Sequence, residues 1–191
     1  MGKTMDAKRL HGILTFLQAA EQLKDTLRSG FTSSGASEST AEHTWRLCLM
    51  VMLFEKEMPE IDLTRLLKLC IVHDLGEAIS GDVPAIYQSA DDNKDERERR
   101  DMKTLCAPLE ADLRDELMAL WEEYTAATTP EAVLAKGFDK LETIMQHVVG
   151  KNPPNFDYEF NISYGAAHTE RHPLLQQIRE LVDAATRSCM S

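Results

Sequence analysis

His73 and Asp74 stand side by side in Leu69-Cys-Ile-Val-His-Asp-Leu-Gly-Glu77, at the end of a strongly apolar segment. An imidazole and a carboxylate that are chain neighbours can share one metal ion if a helix turns there. Two further candidate ligands lie far off in sequence, His43 upstream and Asp139 downstream. Neutral imidazoles and carboxylates suit Mn, Co, Fe, Ni or Zn, and Mg where nitrogens are fewer. Two His and two Asp would leave places on a six-coordinate ion open for water and a phosphate oxygen, the chemistry of phosphate ester hydrolysis. A closed structural zinc site would normally use thiolates. The four cysteines, Cys48, Cys70, Cys106 and Cys189, show no C-x-x-C spacing.

Each residue taken singly has an ordinary reading. His43, in Ala-Glu-His-Thr-Trp-Arg, fits a hydrogen-bonded core histidine. His73-Asp74 fits a capping or salt-bridged pair at a helix end. Asp139 lies among Phe138, Leu141 and Ile144, where Lys136, Lys140 or solvent could satisfy it. Together they read differently. Glu77 comes three residues after Asp74, on nearly the same side if the chain stays helical, and Asp82 follows in a Gly-bounded turn. Three acids and a histidine packed between residues 73 and 82 would repel one another without a cation, and a bound metal reverses that balance.

The elements that must position these groups read as helices. Leu10, Ile13, Leu14, Leu17, Ala20 and Leu23 recur at spacings of three and four and predict one inward apolar stripe. Arg28 to Glu38 is rich in Gly and Ser and reads as a loop. Ser39 or Thr40 is suited to cap a helix from about Ala41 to Lys56, which is apolar nearly all round past Leu47 and is therefore expected in the core. Asp62 is suited to cap Leu63 to His73, with Leu66, Leu67, Leu69, Cys70 and Val72 inward. Gly76 and Gly81 bound a short segment, and Pro84 disfavours a continued helix there.

Asp91 to Lys103 is dense in both charge signs and predicts a solvated helix face. Leu113, Leu117, Leu120, Trp121 and Tyr124 keep helical spacing. Thr129-Pro130 opens a helix from about Glu131 to Val149, and Asn152-Pro-Pro-Asn155 ends it. An aromatic-rich loop follows, Asn155 to Phe160, and then a helix from about Pro173 to Ser188. No run alternates with period two. The expectation is an all-α fold, a single domain over residues 1–191 with roughly six or seven helices, a count consistent with helical-bundle architectures.

A chain of 191 residues holds one sizeable core. Its formal charge of −11 disfavours nucleic-acid polymers and anionic membranes, although a small phosphorylated substrate stays compatible through a bound cation. The start of the chain lacks a signal-peptide stretch. The run Leu47 to Phe54 is too short for a bilayer, which needs about 20 residues. A cytoplasmic setting is the expectation.

The set Ser-Thr-Ala-Glu-His43, Ile-Val-His73-Asp74-Leu-Gly-Glu77, Ser-Gly-Asp82-Val-Pro and Phe-Asp139-Lys-Leu-Glu142 resembles the HD-domain metal-dependent phosphohydrolases. Among them it looks most like the compact 5′-deoxynucleotidases, which act on deoxynucleoside monophosphates. The resemblance runs from about Leu10 to Gly150. It implies a helical bundle and one divalent metal held by His43, His73, Asp74 and Asp139. It implies Glu77 and Asp82 as the catalytic acids, with attack by metal-bound water. Arg28 and Phe31 fall where those enzymes carry an Arg and a Trp near the nucleotide, so the usual Trp is Phe here. Phe31 is suited either to stack on a base or to pack in the core.

Three functions follow. The first is phosphate release from (deoxy)nucleoside 5′-monophosphates. The second is phosphodiester or other nucleotide hydrolysis, which commonly uses two metals and extra histidines, and His11, His147, His168 and His172 show no such spacing. The third is a non-catalytic metal- or nucleotide-binding module. The family often forms homodimers, and the Trp121–Tyr124 face and the charged Asp91–Lys103 segment are the candidate subunit contacts.

Overall fold

In a computed structural model, residues 4–83 and 94–190 are described. Asp6 starts α1 (Ala7–Ala20) by accepting from the Lys8 and Arg9 amides. A 3-10 turn at Glu21–Lys24 leads into two short antiparallel strands, β1 (Leu27–Phe31) and β2 (Ser37–Ser39), with Leu27 opposite Ser39 and Phe31 opposite Ser37. Then come α2 (Thr40–Leu53), α3 (Leu63–Val72), α4 (Glu77–Ser80), α5 (Lys94–Cys106), α6 (Ala111–Ala126) and α7 (Pro130–Val149). The chain closes with α8 (Tyr158–Ser163), α9 (Ala166–Thr169) and α10 (Pro173–Cys189). Seven of the described helices have ten residues or more, the number the periodicity predicts, and α4, α8 and α9 are single-turn connectors.

Local chemistry starts these helices where expected. Ser39 and Glu42 form a reciprocal capping box at α2. The Asp62 carboxylate accepts the Arg65 amide at α3, and Thr129 caps α7 with Pro130 in its first turn. Gly81 sits at φ +81°, a left-handed conformation that ends α4 and that L side chains rarely adopt.

Helix α7 is the central post, packed against α2, α3, α6 and α10. Leu134, Phe138, Leu141 and Ile144 are buried along it, and the first three share one core with Leu47, Leu66, Leu69 and Leu175. Phe138 is fully buried and stacks on Phe54 at 5.8 Å. Phe138→Ala is expected to cost about 3–5 kcal/mol of unfolding free energy, read as a lower urea midpoint. That is a large share of the ~5–15 kcal/mol typical of a domain.

Several expectations are corrected. Residues 28–38 are not all loop: a two-stranded ribbon too short to show alternation holds Arg28 and Phe31. On α1 the buried residues are Gly12 and Phe16, whereas Leu10, Leu14 and Leu17 are exposed. This helix rests mainly on α5 and the turn that follows it, so it has room to bury only a narrow line. On α2 the core takes Leu47, Met50 and Val51, and Met52 and Leu53 face outward. An all-round apolar composition did not make this helix all-round buried. Its end comes at Leu53, with a 3-10 turn at Glu55–Glu57.

Trp121 and Tyr124 are buried inside the chain and cannot be a subunit contact. Tyr158 to Phe160, read as the end of the aromatic loop, open α8. Helix α5 is solvated on one face, with Lys94 bridging Glu98 at 3.4 Å, yet buries Asp101 and Met102. Pro84 and Asp91 lie outside the described residues. Among the described residues no helix is long and apolar enough to cross a membrane.

Candidate metal centre and its cavity

Three distant stretches meet beside α7. His43 lies in the first turns of α2, His73 is the residue that closes α3, Asp74 follows it, and Asp139 sits midway along α7. His43 Nε2 is 3.3 Å from His73 Nε2 and 3.3 Å from Asp139 Oδ1. Asp74 Oδ2 is 2.8 Å from His73 Nε2 and 3.9 Å from His43 Nε2. His73 Nε2 and Asp139 Oδ1 are 3.9 Å apart. Ligands each about 2.0–2.2 Å from one ion stand roughly 3 Å from each other, so the spacing fits a first-row divalent cation.

The hydrogen bonds behind these atoms decide their protonation. His73 Nδ1 lies 2.7 Å from the Cys70 carbonyl oxygen, which can only accept, so Nδ1 carries the proton. His43 Nδ1 contacts the Glu142 carboxylate, and Glu142 also takes Arg46 Nε at 2.6 Å. Both imidazoles therefore turn Nε2 inward, toward two carboxylate oxygens. Against burial and the charge of Arg28, Glu142 and Asp139 push His43 up to about 9, so a proton sits in this cluster where a cation would take its place.

The carboxylates are held as anions. Burial works against charge at Asp139, but Lys140 and the two histidines outweigh it and keep the carboxyl well below its usual range. Its Oδ2 accepts Tyr124 OH at 2.6 Å and Lys140 Nζ at 2.9 Å, leaving Oδ1 for the cluster. Asp74 is half-buried, and against the cost of desolvation His73 and Arg28 hold it low. Glu77 goes the opposite way: burial, then the charges of Asp74 and Asp82, push its carboxyl up to about 9. Thr40 donates to Glu77 Oε2 at 3.0 Å. Asp82 shares a hydrogen bond with Glu77, and burial pushes it up as well.

These groups face one cavity of about 560 Å³, the size of a small-molecule site. Arg28, Phe31, His73, Asp74, Glu77, Asp82 and Asp139 line it, and His43 is fully buried behind its wall. Arg28 is nearly buried. Its guanidinium reaches Asp74 at 3.4 Å, Glu38 at 3.5 Å and Thr143 at 3.0 Å. Phe31 is half-buried and lines the cavity.

Lys140 meets Asp139, one of the partners the sequence offered, and two further contributors were missed: Glu142 orients His43, and Tyr124 joins Lys140 in orienting Asp139. The face of α7 explains them: Asp139, Thr143 and His147 are spaced by four and line the cavity together. Glu142, a charge inside the apolar run of α7 and three residues past Asp139, was the visible signal. Among the described residues a second acidic group, Glu38, His43 and Glu142, uses the other nitrogen of the same His43. Arg28 and Arg46 already occupy its carboxylates, which gives it an orienting role.

Comparison with known proteins agrees with this geometry. A family model described as an HD domain matches residues 20–179. The chain is 35% identical over 137 residues to the 5′-deoxynucleotidase HDDC2 of Mus musculus, covering 71% of this chain and 68% of that one. It is 32% identical over 178 residues to the 5′-deoxynucleotidase hdd1 of Schizosaccharomyces pombe, covering 90% and 89%. A crystal structure from Magnetospirillum magnetotacticum MS-1, described as a predicted metal-dependent phosphohydrolase, superposes with a TM-score of 0.78 at 27% identity over 94% of this chain and 96% of that one. Both the helical architecture that carries the cluster and the extent of these matches lead to one assignment: the chain belongs to the HD-domain family.

Proposed function

We propose that this chain is a metal-dependent phosphohydrolase that releases phosphate from (deoxy)nucleoside 5′-monophosphates, working as a single HD-type domain in the cytoplasm with one divalent ion per chain. The observation that carries it is the convergence of two histidine Nε2 atoms and two carboxylates beside a cavity that also holds an arginine and two further acids. Relatives covering most of the chain bear the name 5′-deoxynucleotidase.

His43, His73, Asp74 and Asp139 hold the ion. Mn, Co, Mg, Fe, Ni and Zn all suit such a donor set. Bound there, a divalent cation acidifies water toward neutrality and offsets charge that builds on phosphorus. Arg28, with its guanidinium on the cavity wall, pairs with phosphate oxygens in the two-pronged manner that its planar geometry favours. Glu77, whose raised carboxyl keeps its proton at neutral pH, delivers that proton to the leaving 5′-oxygen. Asp82, hydrogen-bonded to Glu77, orients the attacking water and takes its proton.

The test is phosphate release from a panel of ribo- and deoxynucleoside 5′-monophosphates with Mg, Mn or Co added to chelator-treated protein. Release that depends on added metal and exceeds release from a bis-ester substrate is expected. Hydrolysis of phosphodiesters alone would replace this reading with the diesterase one. Tight nucleotide binding without turnover would replace it with a binding module.

A further inference from the structure

The cavity also has an aromatic wall to which the phosphate chemistry assigns no role. Phe156, Phe160 and Tyr164, all half-buried, line it together with Phe31. The Phe156 ring stands edge-on to His147 at 4.9 Å, and Phe160 lies beside Tyr164 at 5.2 Å. Flat rings of this kind offer π-faces to a planar heterocycle, whatever its identity.

One polar group on this wall has no counterpart. Asn161 lines the cavity yet is fully buried. Its Oδ1 is 2.8 Å from His147 Nδ1, while its Nδ2 has no hydrogen-bond partner. A buried amide donor left unmet costs free energy, and native proteins rarely leave one without a reason. The backbone around it is fixed. Arg179, itself buried on α10, donates to the carbonyl oxygens of Asn161 at 2.9 Å, Ile162 at 2.6 Å and Tyr164 at 2.7 Å. Asp183 holds the Arg179 Nε at 2.6 Å. The α8 turn is thus stapled from behind, and the amide is presented by a rigid element.

We propose that this wall of the cavity is a nucleobase subsite, in which Phe156 and its aromatic neighbours stack on the base and Asn161 Nδ2 donates to a ring nitrogen or carbonyl oxygen on its edge. The inference rests on the nucleotide reading above and adds which residues choose the base. It places selectivity in residues 156–164, beyond the stretch that carries the metal motifs. A site built to hydrogen-bond a substrate atom discriminates strongly against an analogue that lacks it.

The experiment compares kcat/KM for the four deoxynucleoside 5′-monophosphates with that for 2-deoxyribose 5-phosphate, which has the same ester and no base. The wild-type protein is expected to favour at least one nucleotide by more than about tenfold. In Asn161→Leu and in Phe156→Ala this ratio is expected to fall by about tenfold or more. Free deoxynucleosides are expected to inhibit the wild type by occupying the subsite and to lose that inhibition in both variants. Should Asn161→Leu fail to fold, the half-buried Phe156→Ala carries the test. An unchanged ratio in a folded variant overturns the assignment, as does a wild type that treats base and no base alike while still releasing phosphate. Absence of metal-dependent release from any monophosphate sinks the phosphatase reading itself, and the subsite with it.

Discussion

Replacing His73 or Asp74 with alanine is expected to remove both metal content and phosphatase activity. Each side chain contributes one atom to the cluster: His73 Nε2 lies 2.8 Å from Asp74 Oδ2 and 3.3 Å from His43 Nε2, and Asp74 Oδ2 lies 3.9 Å from His43 Nε2. Losing either leaves an ion with three protein ligands, two of them oriented for a partner that has gone. The fold should survive the change. Asp74 lies beyond the end of α3 and is partly exposed, and Arg28 keeps Glu38 and Thr143 after Asp74 is gone. Metal-free Asp74→Ala also loses the contacts with His73 and Arg28 that hold this carboxyl low, so it is expected to melt somewhat below metal-free wild type, while added metal raises the melting temperature of the wild type alone. Elemental analysis showing a full equivalent of metal in both variants would rule out this ligand assignment.

Glu77→Ala is expected to keep the metal and lose the rate, by about 100-fold or more, the usual scale for a proton-transfer residue. Glu77 is buried at the first position of α4, beside Asp74 and Asp82, with Thr40 donating to it. None of the nitrogen or oxygen atoms that face the ion belongs to it. Metal stoichiometry and KM should therefore stay near wild type while kcat falls, the pattern of an interaction made mainly in the transition state. Turnover close to wild type would remove Glu77 from the mechanism. Loss of metal instead would make it a ligand.

The sequence made the polar part of this site unusually legible. His73, Asp74, Glu77 and Asp82 lie within one short stretch, so their mutual repulsion was visible before any coordinates. Asp139 stood out as a charge in the apolar run of α7. Caps were legible because they are local: Ser39, Asp62 and Thr129 each contact an amide three residues on. What stayed hidden depends on tertiary neighbours. Periodicity marked Leu10, Leu14 and Leu17 as a stripe but could not say which line of α1 would find a partner, and the docked line is Gly12 and Phe16. The ribbon that carries Arg28 was hidden by its length, because three- and five-residue strands leave too few positions for alternation. Asn161 was illegible for a different reason. Its significance lies in an unmet hydrogen bond, which exists only once His147 and Arg179 are packed around it.

The central claim is that four side chains from three separated stretches share one cation. Anomalous scattering from crystals soaked in manganese tests it most directly. One peak per chain is expected, about 2.0–2.3 Å from His43 Nε2, His73 Nε2 and a carboxylate oxygen of both Asp74 and Asp139. A peak elsewhere, or none in crystals of protein that releases phosphate with manganese, would contradict it.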